Sequence, residues 1–164
     1  MDRPILNIAD VEFRPWGHGA ALPGQKTDAP PQFAARLGAI GARIGARKLG
    51  YSVTAIPPGK RAFPRHAHHV NEEMFFIVEG GGEVRIGDAT YPIRQGDVIA
   101  CPAGGPETAH CIVNTGATEL TFLAVSTMLS PEIVEDPDSG KFAASEFSGV
   151  GPDGRPRGSR FTGR

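Results

Sequence analysis

The sequence is short of cysteine, of long apolar runs and of net charge. Its 164 residues include two cysteines, and the formal net charge is −1 at pH 7. A charge this close to zero gives no electrostatic basis for binding nucleic acid or an anionic membrane surface. No apolar run approaches the ~20 residues that span a bilayer, and the first residues lack the basic-then-apolar pattern of a secretory signal. We therefore expect a cytoplasmic protein with neither nucleic-acid nor membrane partners.

The length and composition fit one small globular domain. The chain is 40% hydrophobic and 21% charged, which are ordinary fractions for a globular protein. The two cysteines, Cys101 and Cys111, fit a reducing compartment, because secreted domains of this size more often carry disulfides. The sequence leaves open whether these two thiols lie close together.

The chain is expected to divide into three parts. Residues 1–47 form an N-terminal wrapping segment with a short helix, residues 48–127 the core of a β-barrel, and residues 128–164 a C-terminal extension with a mobile end. The helix is predicted because Phe33, Leu37, Ile40 and Ile44 recur at helical spacing, although nearby glycines each weaken it by up to ~1 kcal/mol.

The central part predicts many short strands separated by glycine and proline turns. The predicted strands lie at residues 49–56, 74–78, 83–86, 89–91, 98–101, 111–113 and 120–126. Gly87 and Asp88 form a two-residue turn that makes the third and fourth of these a hairpin. Residues 74–78 are apolar throughout, which predicts a strand buried on both faces. This pattern favours an all-β, jelly-roll-like barrel.

Histidines and carboxylates gather just before the apolar strand at residues 74–78. His66 and His68 are separated by one residue, so in a strand both side chains point to the same face. Glu73 begins the next strand, which can bring its side chain back toward these two histidines. A further histidine, His110, follows downstream. A mixed set of imidazole and carboxylate ligands suits Fe, Mn, Ni, Co or Zn better than Mg or Ca. The sequence therefore predicts a site for one divalent transition metal.

The spacing of these residues resembles the two motifs of the cupin superfamily. The first motif, G-x5-H-x-H-x(3,4)-E-x6-G, is matched by His66, His68, Glu73 and Gly80, with one extra residue after Gly59. The second motif, G-x5-P-x-G-x2-H-x3-N, is matched by Gly96, Pro102, Gly104, His110 and Asn114, with five residues before His110 where the motif has two. The resemblance covers roughly residues 50–127, and a short spacer of the kind found in compact microbial members separates the motifs.

The resemblance implies a single cupin barrel with His66, His68, Glu73 and His110 as metal ligands. Cupins commonly pair their sheets, so it also implies a homodimer. Segments after residue 125 are similar to the C-terminal part of small single-domain bacterial cupins, some of which carry the label of sugar-phosphate isomerase. That activity is an expectation from the fold, which hosts many chemistries.

The neighbouring polar residues have plainer interpretations. Glu72 is the alternative to Glu73 as a ligand, and the spacing to Gly80 favours Glu73. His69 is expected on the opposite strand face, at the surface, and Cys111 is expected to turn away from the metal as an inert thiol. Asn114 is interpreted as a turn or strand-end residue and His18 as a surface loop residue, unless the N-terminal segment folds over the barrel mouth.

The predicted metal can act as a Lewis acid on a small oxygenated, anionic molecule. Isomerisation also requires a base, for which Tyr51, Tyr91 and Glu107 are the candidates. Lys60, Arg61 and Arg65 flank the first ligands and are predicted either to hold a phosphate or carboxylate or to form a solvated basic strand edge. Sugar-phosphate isomerase is the specific hypothesis. The alternatives are an Fe(II) dioxygenase or decarboxylase of small organic acids, and a non-catalytic barrel that binds a metal and a small ligand.

Overall fold

The structure is a computed structural model that describes residues 4–18, 29–150 and 156–164. These residues form thirteen β-strands and two 3₁₀ turns, Ile8–Asp10 and Gly41–Ile44, with no α-helix among them. The strands are β1 Arg14–Gly17, β2 Ala34–Ala39, β3 Leu49–Ile56, β4 Ala67–His68, β5 Glu73–Glu79, β6 Gly81–Ile86, β7 Ala89–Arg94, β8 Val98–Cys101, β9 His110–Val113, β10 Leu120–Thr127, β11 Glu132–Asp136, β12 Lys141–Val150 and β13 Pro156–Gly163. The predicted all-β fold is confirmed, and β3 and β8 have the predicted bounds.

The strands form three sheets whose edges meet around a common interior. One sheet has the order β1-β2-β3-β10-β5-β8, a second β7-β6-β9, and a third β13-β12-β11-β4. A backbone pair between His66 and His110 joins the segment before β4 to β9. This pair brings the edges of the second and third sheets together opposite the first.

The interior is filled by inward-facing apolar side chains of facing sheets. The buried cluster includes Ile56 of β3, Ile77 of β5, Val84 of β6, Ile112 of β9 and Leu120 of β10. These five side chains are at most 6% exposed. Residues two apart on one strand share a face, so Glu73 points inward like Ile77, and His110 like Ile112. Each is the first residue of its strand, so both lie at the edge of this core.

The prediction of a short N-terminal helix is wrong. Residues 34–39 form β2, which pairs with β3 in antiparallel register from Arg36 opposite Ala55 to Ala39 opposite Ser52. Only the single 3₁₀ turn Gly41–Ile44 follows, and it ends at Gly45, whose φ of 85° is left-handed. A Cβ atom at Gly38 would clash with the side chains of Val11 and Val53, so the absence of a side chain here permits close packing of the strand. The glycines that weaken a helix here permit close packing of a sheet.

The strand at residues 74–78 is predicted to be buried on both faces, but in the structure only its inner face is buried. Phe75 and Ile77 are buried in the interior, while Phe76 on the outer face is 37% exposed. Its neighbour across the sheet on β8, Val98, is 67% exposed. The N-terminal segment covers the outer face over β3 instead, where Val11 packs against Val53. In the part of the chain that the structure describes, no helix is long and apolar enough to cross a membrane.

Candidate metal centre

Four side chains meet where β4, β5 and β9 begin. His66 precedes β4, His68 ends it, Glu73 is the first residue of β5 and His110 the first of β9. The backbone N–H of His110 donates to the carbonyl of His66 at 2.8 Å, and the N–H of His66 donates back to the carbonyl of His110 at 3.1 Å. This reciprocal pair fixes the two imidazoles beside each other despite the lengthened loop before His110.

The imidazole Nε2 atoms converge on one carboxylate oxygen. Glu73 Oε2 lies 3.2 Å from His110 Nε2, 3.4 Å from His68 Nε2 and 4.0 Å from His66 Nε2. Ligand atoms of His66, His68 and Glu73 all lie within 4.8 Å of one another, and His110 contacts this group through Glu73. A group of this composition could hold a metal ion.

The other nitrogen of each imidazole faces an acceptor of the protein. His66 Nδ1 lies 2.9 Å from the carbonyl of Pro64, and His110 Nδ1 lies 3.3 Å from the carbonyl of Thr108. A carbonyl can only accept, so each Nδ1 has a partner for its proton, and a neutral ring in that tautomer would offer Nε2 to a metal ion. The carboxylate of Glu73 also only accepts, so it bonds Nε2 of His110 when that nitrogen is protonated, and ligation of an ion would require that proton to leave.

Glu132 supports His68, and the sequence analysis did not single it out. Its Oε2 lies 3.5 Å from His68 Nδ1, an atom that is buried without a hydrogen bond. The backbone N–H groups of Val70, Asn71 and Ile133 all donate to the Glu132 carboxylate, which is held rigidly as a result. The buried carboxylate gives the Nδ1–H of His68 an electrostatic partner. Glu132 lies six residues after the last predicted barrel strand and far from both motifs. The sequence therefore contains no motif that identifies it as a neighbour of His68.

The electrostatics favour neutral His66 and ionised Glu73. Burial, reinforced by the nearby His110, lowers the pKa of His66 to about 4. Burial alone would raise the pKa of Glu73, but hydrogen bonds from His110 and His68 outweigh it and hold that pKa well below its usual range. Burial lowers the pKa of His68, yet its contact with Glu73 and then Glu132 raises it above the ordinary value. At neutral pH the centre thus offers a carboxylate and at least one uncharged imidazole.

Two cavities border the centre, and His66 and His68 line both. The inner cavity, about 440 Å³, lies inside the barrel and also reaches Glu73 and His110. Its walls are mostly apolar, with Ser52 and Thr54 as the hydroxyl groups. The outer cavity, about 800 Å³, lies between the barrel mouth and strands β11 to β13.

The structure does not bring the three predicted bases to either cavity. Tyr51 packs in the outer cluster beside Val53, on the other face of the sheet. Tyr91 on β7 is 52% exposed. Glu107 is exposed, and its carboxylate accepts a hydrogen bond from the N–H of Gly105, which lowers its pKa. The loop that carries Glu107 does rim the barrel, but its side chain turns back on its own backbone.

The three predicted anion-binding residues are also occupied elsewhere. Lys60 Nζ donates to the carbonyl of Pro31 at 2.9 Å. Arg65 pairs with Asp138 at 2.7 Å, a hydrogen bond that raises the pKa of Arg65. The guanidinium of Arg61 lies over the ring of Phe33, 5.8 Å from the ring centroid. None of the three lines the two cavities at the centre.

Other residues lie where the sequence analysis expected them. Glu72 is exposed, which leaves Glu73 as the inward carboxylate. His69 is 39% exposed and its Nε2 lies 3.0 Å from Glu135 Oε2. Asn114 is fully buried and its side chain bonds the carbonyls of Ile56 and Thr118, a structural role at the strand end. His18 contacts the carbonyl of Ala29 away from the centre.

The two cysteines are buried free thiols in different sheets. Cys101 lies opposite Glu73 on β8, and burial raises its pKa to about 12. Cys111 lies opposite Arg85 on β9 and borders the inner cavity, with its thiol donating to the carbonyl of Phe63. Burial raises the pKa of Cys111 as well. Both thiols are therefore protonated at neutral pH.

Comparison with known families and structures agrees with the fold. Residues 52–126 match the cupin domain family. A sugar phosphate isomerase from a cupin superfamily of Silicibacter pomeroyi has a TM-score of 0.73 and 27% identity, over 94% of this chain and 96% of that one. A proposed sugar phosphate isomerase from Acidithiobacillus ferrooxidans has a TM-score of 0.73 at 22% identity, over 98% and 92%, and shows the fold alone.

Among curated proteins, an oxalate-binding protein of Thermotoga maritima is 36% identical over 74 residues. The match covers 45% of this chain and 58% of that protein. The chain spans about 60% of the length of this relative and of an uncharacterised protein from Methanocaldococcus jannaschii. The predicted resemblance to the cupin superfamily is confirmed.

Proposed function

Residues 52–126 are a cupin domain, and from this premise we propose that the protein binds one divalent transition metal ion and acts on a small oxygenated anion. The observation that carries the proposal is the convergence of three imidazole Nε2 atoms on Glu73 Oε2. His66, His68, Glu73 and His110 are the proposed ligands.

The side chains fit such an ion in two independent respects. The Nδ1 atoms of His66 and His110 face carbonyls, so a neutral ring with its proton on Nδ1 would turn the Nε2 lone pair to the ion. The buried Nδ1 of His68 faces Glu132, the carboxylate–histidine arrangement that orients metal-bound imidazoles. When bound, the ion would supply a Lewis acid and coordination positions for substrate oxygens. The donor set suits Zn, Mn, Fe, Ni or Co.

The specific proposal is isomerisation of a sugar phosphate. It is supported by the likeness to the Silicibacter pomeroyi protein, which extends over nearly all of both chains. It is also supported by the outer cavity, whose volume of about 800 Å³ accommodates an elongated anion beside His66 and His68. In this proposal the protein excludes water with the apolar inner wall and orients the substrate between the two cavities.

Non-catalytic binding of a small organic acid is the second candidate. Isomerisation needs a base near the reacting carbon, yet Glu73 and Asp136 are the only carboxylates among the described residues that line the two cavities. Glu73 is committed to the imidazoles. The oxalate-binding relative is a precedent for a barrel that binds a dicarboxylate. Oxidation or decarboxylation of organic acids with Fe(II) is the remaining alternative.

Elemental analysis of protein purified without a chelator or a metal-binding tag tests the proposal. Wild type and the variant His66→Ala/His110→Ala are compared, with His69→Ala as the matched control. We expect near-stoichiometric metal in wild type and in the control, and loss in the double variant. The metal-loaded protein is then assayed for interconversion of sugar phosphates and for O₂ consumption. Absence of metal from wild type after reconstitution would contradict the proposal; metal and ligand binding without any product would favour the second candidate.

We also propose that the protein is a homodimer formed through the outer face of β5 and β8. Phe76 and Val98 are paired neighbours on this face, and they leave apolar surface in contact with water. Light scattering coupled to size-exclusion chromatography is expected to show a dimer for wild type and a monomer for Val98→Lys. Ile133→Lys, which alters an exposed apolar residue of another sheet, is expected to remain dimeric. A wild-type monomer would overturn this proposal.

A further inference from the structure

We infer that the C-terminal strands β12 and β13 form an anion-binding subsite facing the metal centre, and that its ligand is the phosphate group of a small phosphate ester. The inference deepens the proposed function and rests on it for the identity of the group bound at the metal. The subsite itself is argued from the outer cavity and from three cations, Lys141, Arg160 and Arg164.

The pairing of β12 with β13 brings these cations to one wall. Arg160 pairs with Ser145, and Phe142 pairs with Gly163 near the ends of the two strands. Lys141, next to Phe142, and Arg164, next to Gly163, therefore stand at adjacent strand ends. Arg160 and Thr162 are two residues apart on β13, share a face by strand alternation, and both line the cavity. His68 ends β4 of the same sheet, on the far side of β11, and together with His66 it lines the same cavity.

The cations of this wall form no close ion pairs among the described residues. In the described ranges none of Lys141, Arg160 and Arg164 forms an ion pair, whereas Arg36 and Arg65 each do. The cavity contains one carboxylate, Asp136, which accepts hydrogen bonds from the hydroxyl of Ser139 and from the backbone N–H groups of Asp138 and Ser139. Asp136 lies opposite Lys141 in the pairing of β11 with β12 and offsets part of its charge. Arg160 and Arg164 still leave an excess of positive side-chain charge at this cavity, which attracts an anion.

The size of the cavity and the nature of the cations favour a phosphate ester. Arginine presents parallel N–H donors that match phosphate oxygens, and a dianion gains more than a monoanion from three cations. A two-carbon dicarboxylate that occupies only the metal's open positions would leave the outer cavity of about 800 Å³ unused. An ester extends from the cations to the imidazoles, so its phosphate lies on β12 and β13 and its oxygenated carbons lie at the centre.

The chain has a built-in reporter for this cavity. Trp16, the only tryptophan, lines it, and its indole N–H donates to the carbonyl of Ala62 at 3.2 Å. We propose titrating the full chain with inorganic phosphate, ribose 5-phosphate and oxalate, and following Trp16 fluorescence together with the heat of binding. Each titration is made on EDTA-treated and on metal-reconstituted protein, at low and high salt.

We expect phosphate and ribose 5-phosphate to bind without metal, and binding to weaken as salt increases. Lys141→Met/Arg160→Gln is expected to raise both Kd values at least ~10-fold, because charge-assisted hydrogen bonds are lost. Arg160→Lys should recover part of the loss, and metal content should stay unchanged in all variants. The matched control is Arg94→Gln, which removes an exposed cation from β7 outside the cavity; its Kd values should equal those of wild type.

The outcomes of this experiment test the subsite independently of the proposed function. Wild-type protein that gives neither a fluorescence change nor heat with both phosphates overturns the subsite, as does an unchanged Kd in the folded double variant. Preference for oxalate over ribose 5-phosphate in the absence of metal also overturns it. Phosphate binding that depends on Lys141 and Arg160 in a protein that fails to retain metal supports the subsite and contradicts the proposed function.

Discussion

The candidate metal centre and the C-terminal hairpin of β12 and β13 border the same outer cavity, yet they are built in different ways. At the centre, each side chain is fixed by further bonds: His66 and His110 to carbonyls, and His68 beside a carboxylate held by backbone N–H groups. On the hairpin, Lys141 and Arg160 are exposed and without ion pairs in the described residues. Ligation of an ion requires fixed donors, whereas long-range attraction of an anion requires only charge.

The largest effect should come from removing the central carboxylate. Glu73→Gln keeps the size of the side chain but removes the charge on which the imidazoles converge, so we expect metal affinity to fall more than ~100-fold, beyond the usual cost of losing an outer partner. Glu72→Gln, one residue earlier and exposed, is the matched control and should bind metal like wild type. Competition with a chromogenic chelator measures both. A larger loss of metal affinity in Glu72→Gln than in Glu73→Gln would show that Glu72 is the ligand.

The same contrast should be visible in stability. Ile77 is fully buried in the interior, and Ile77→Ala is expected to lower the free energy of unfolding by about 2–5 kcal/mol, through lost transfer energy and a cavity. Phe161 on the hairpin is 67% exposed, so Phe161→Ala should cost less than about 1 kcal/mol. Urea denaturation of the metal-free proteins measures both values. Equal losses would show that the hairpin is as well packed as the barrel.

A smaller effect is expected for the carboxylate behind His68. Glu132→Gln removes the charge that faces His68 Nδ1, and we expect metal affinity to fall ~10–100-fold. Glu135→Gln on the same strand, whose partner is His69, should leave metal affinity unchanged. Isothermal titration of variants with native circular dichroism measures the difference. An unaltered metal affinity in Glu132→Gln would show that Glu132 only holds the loop at Val70 and Asn71.

The smallest effect should be the reactivity of the thiols. The pKa of Cys101 is raised from 9.0 to about 12 by burial, so this thiol is protonated at pH 8. A raised pKa adds stability below the unfolded value of 9.0, and that contribution is lost as pH rises toward about 12. Titration with a disulfide reagent at pH 8 should give no fast reaction in folded protein and two thiols in urea. A fast-reacting thiol in the folded state would show that the interior opens readily.

The sequence predicted the barrel well because its signals are local. The hairpin of β6 and β7 depends on Gly87, which adopts a φ of 55° in the turn, and the strands around it alternate in the expected way. The grouping of the four proposed ligands was also predictable, since two motifs place His66, His68, Glu73 and His110 at fixed distances from turn glycines. The structure brings these four side chains together.

Spacing along the chain failed where the deciding contact was distant. Phe33, Leu37, Ile40 and Ile44 have helical spacing, but pairing with β3 made residues 34–39 a strand. Lys60, Arg61 and Arg65 are near the ligands in sequence, but they contact Pro31, Phe33 and Asp138. In the C-terminal extension, Pro156–Gly163 pairs with β12. Long-range pairing of this kind brings Glu132 to His68 and Arg160 to the outer cavity.

The rings of His66 and His68 line both the inner and the outer cavity, together with Phe63. Both imidazoles also lie near the Glu73 carboxylate. A molecule that displaced these rings from one chamber would alter the wall of the other, and thermodynamic reciprocity would make the change in affinity equal in both directions. A shared wall of this kind would couple the two chambers through side chains alone.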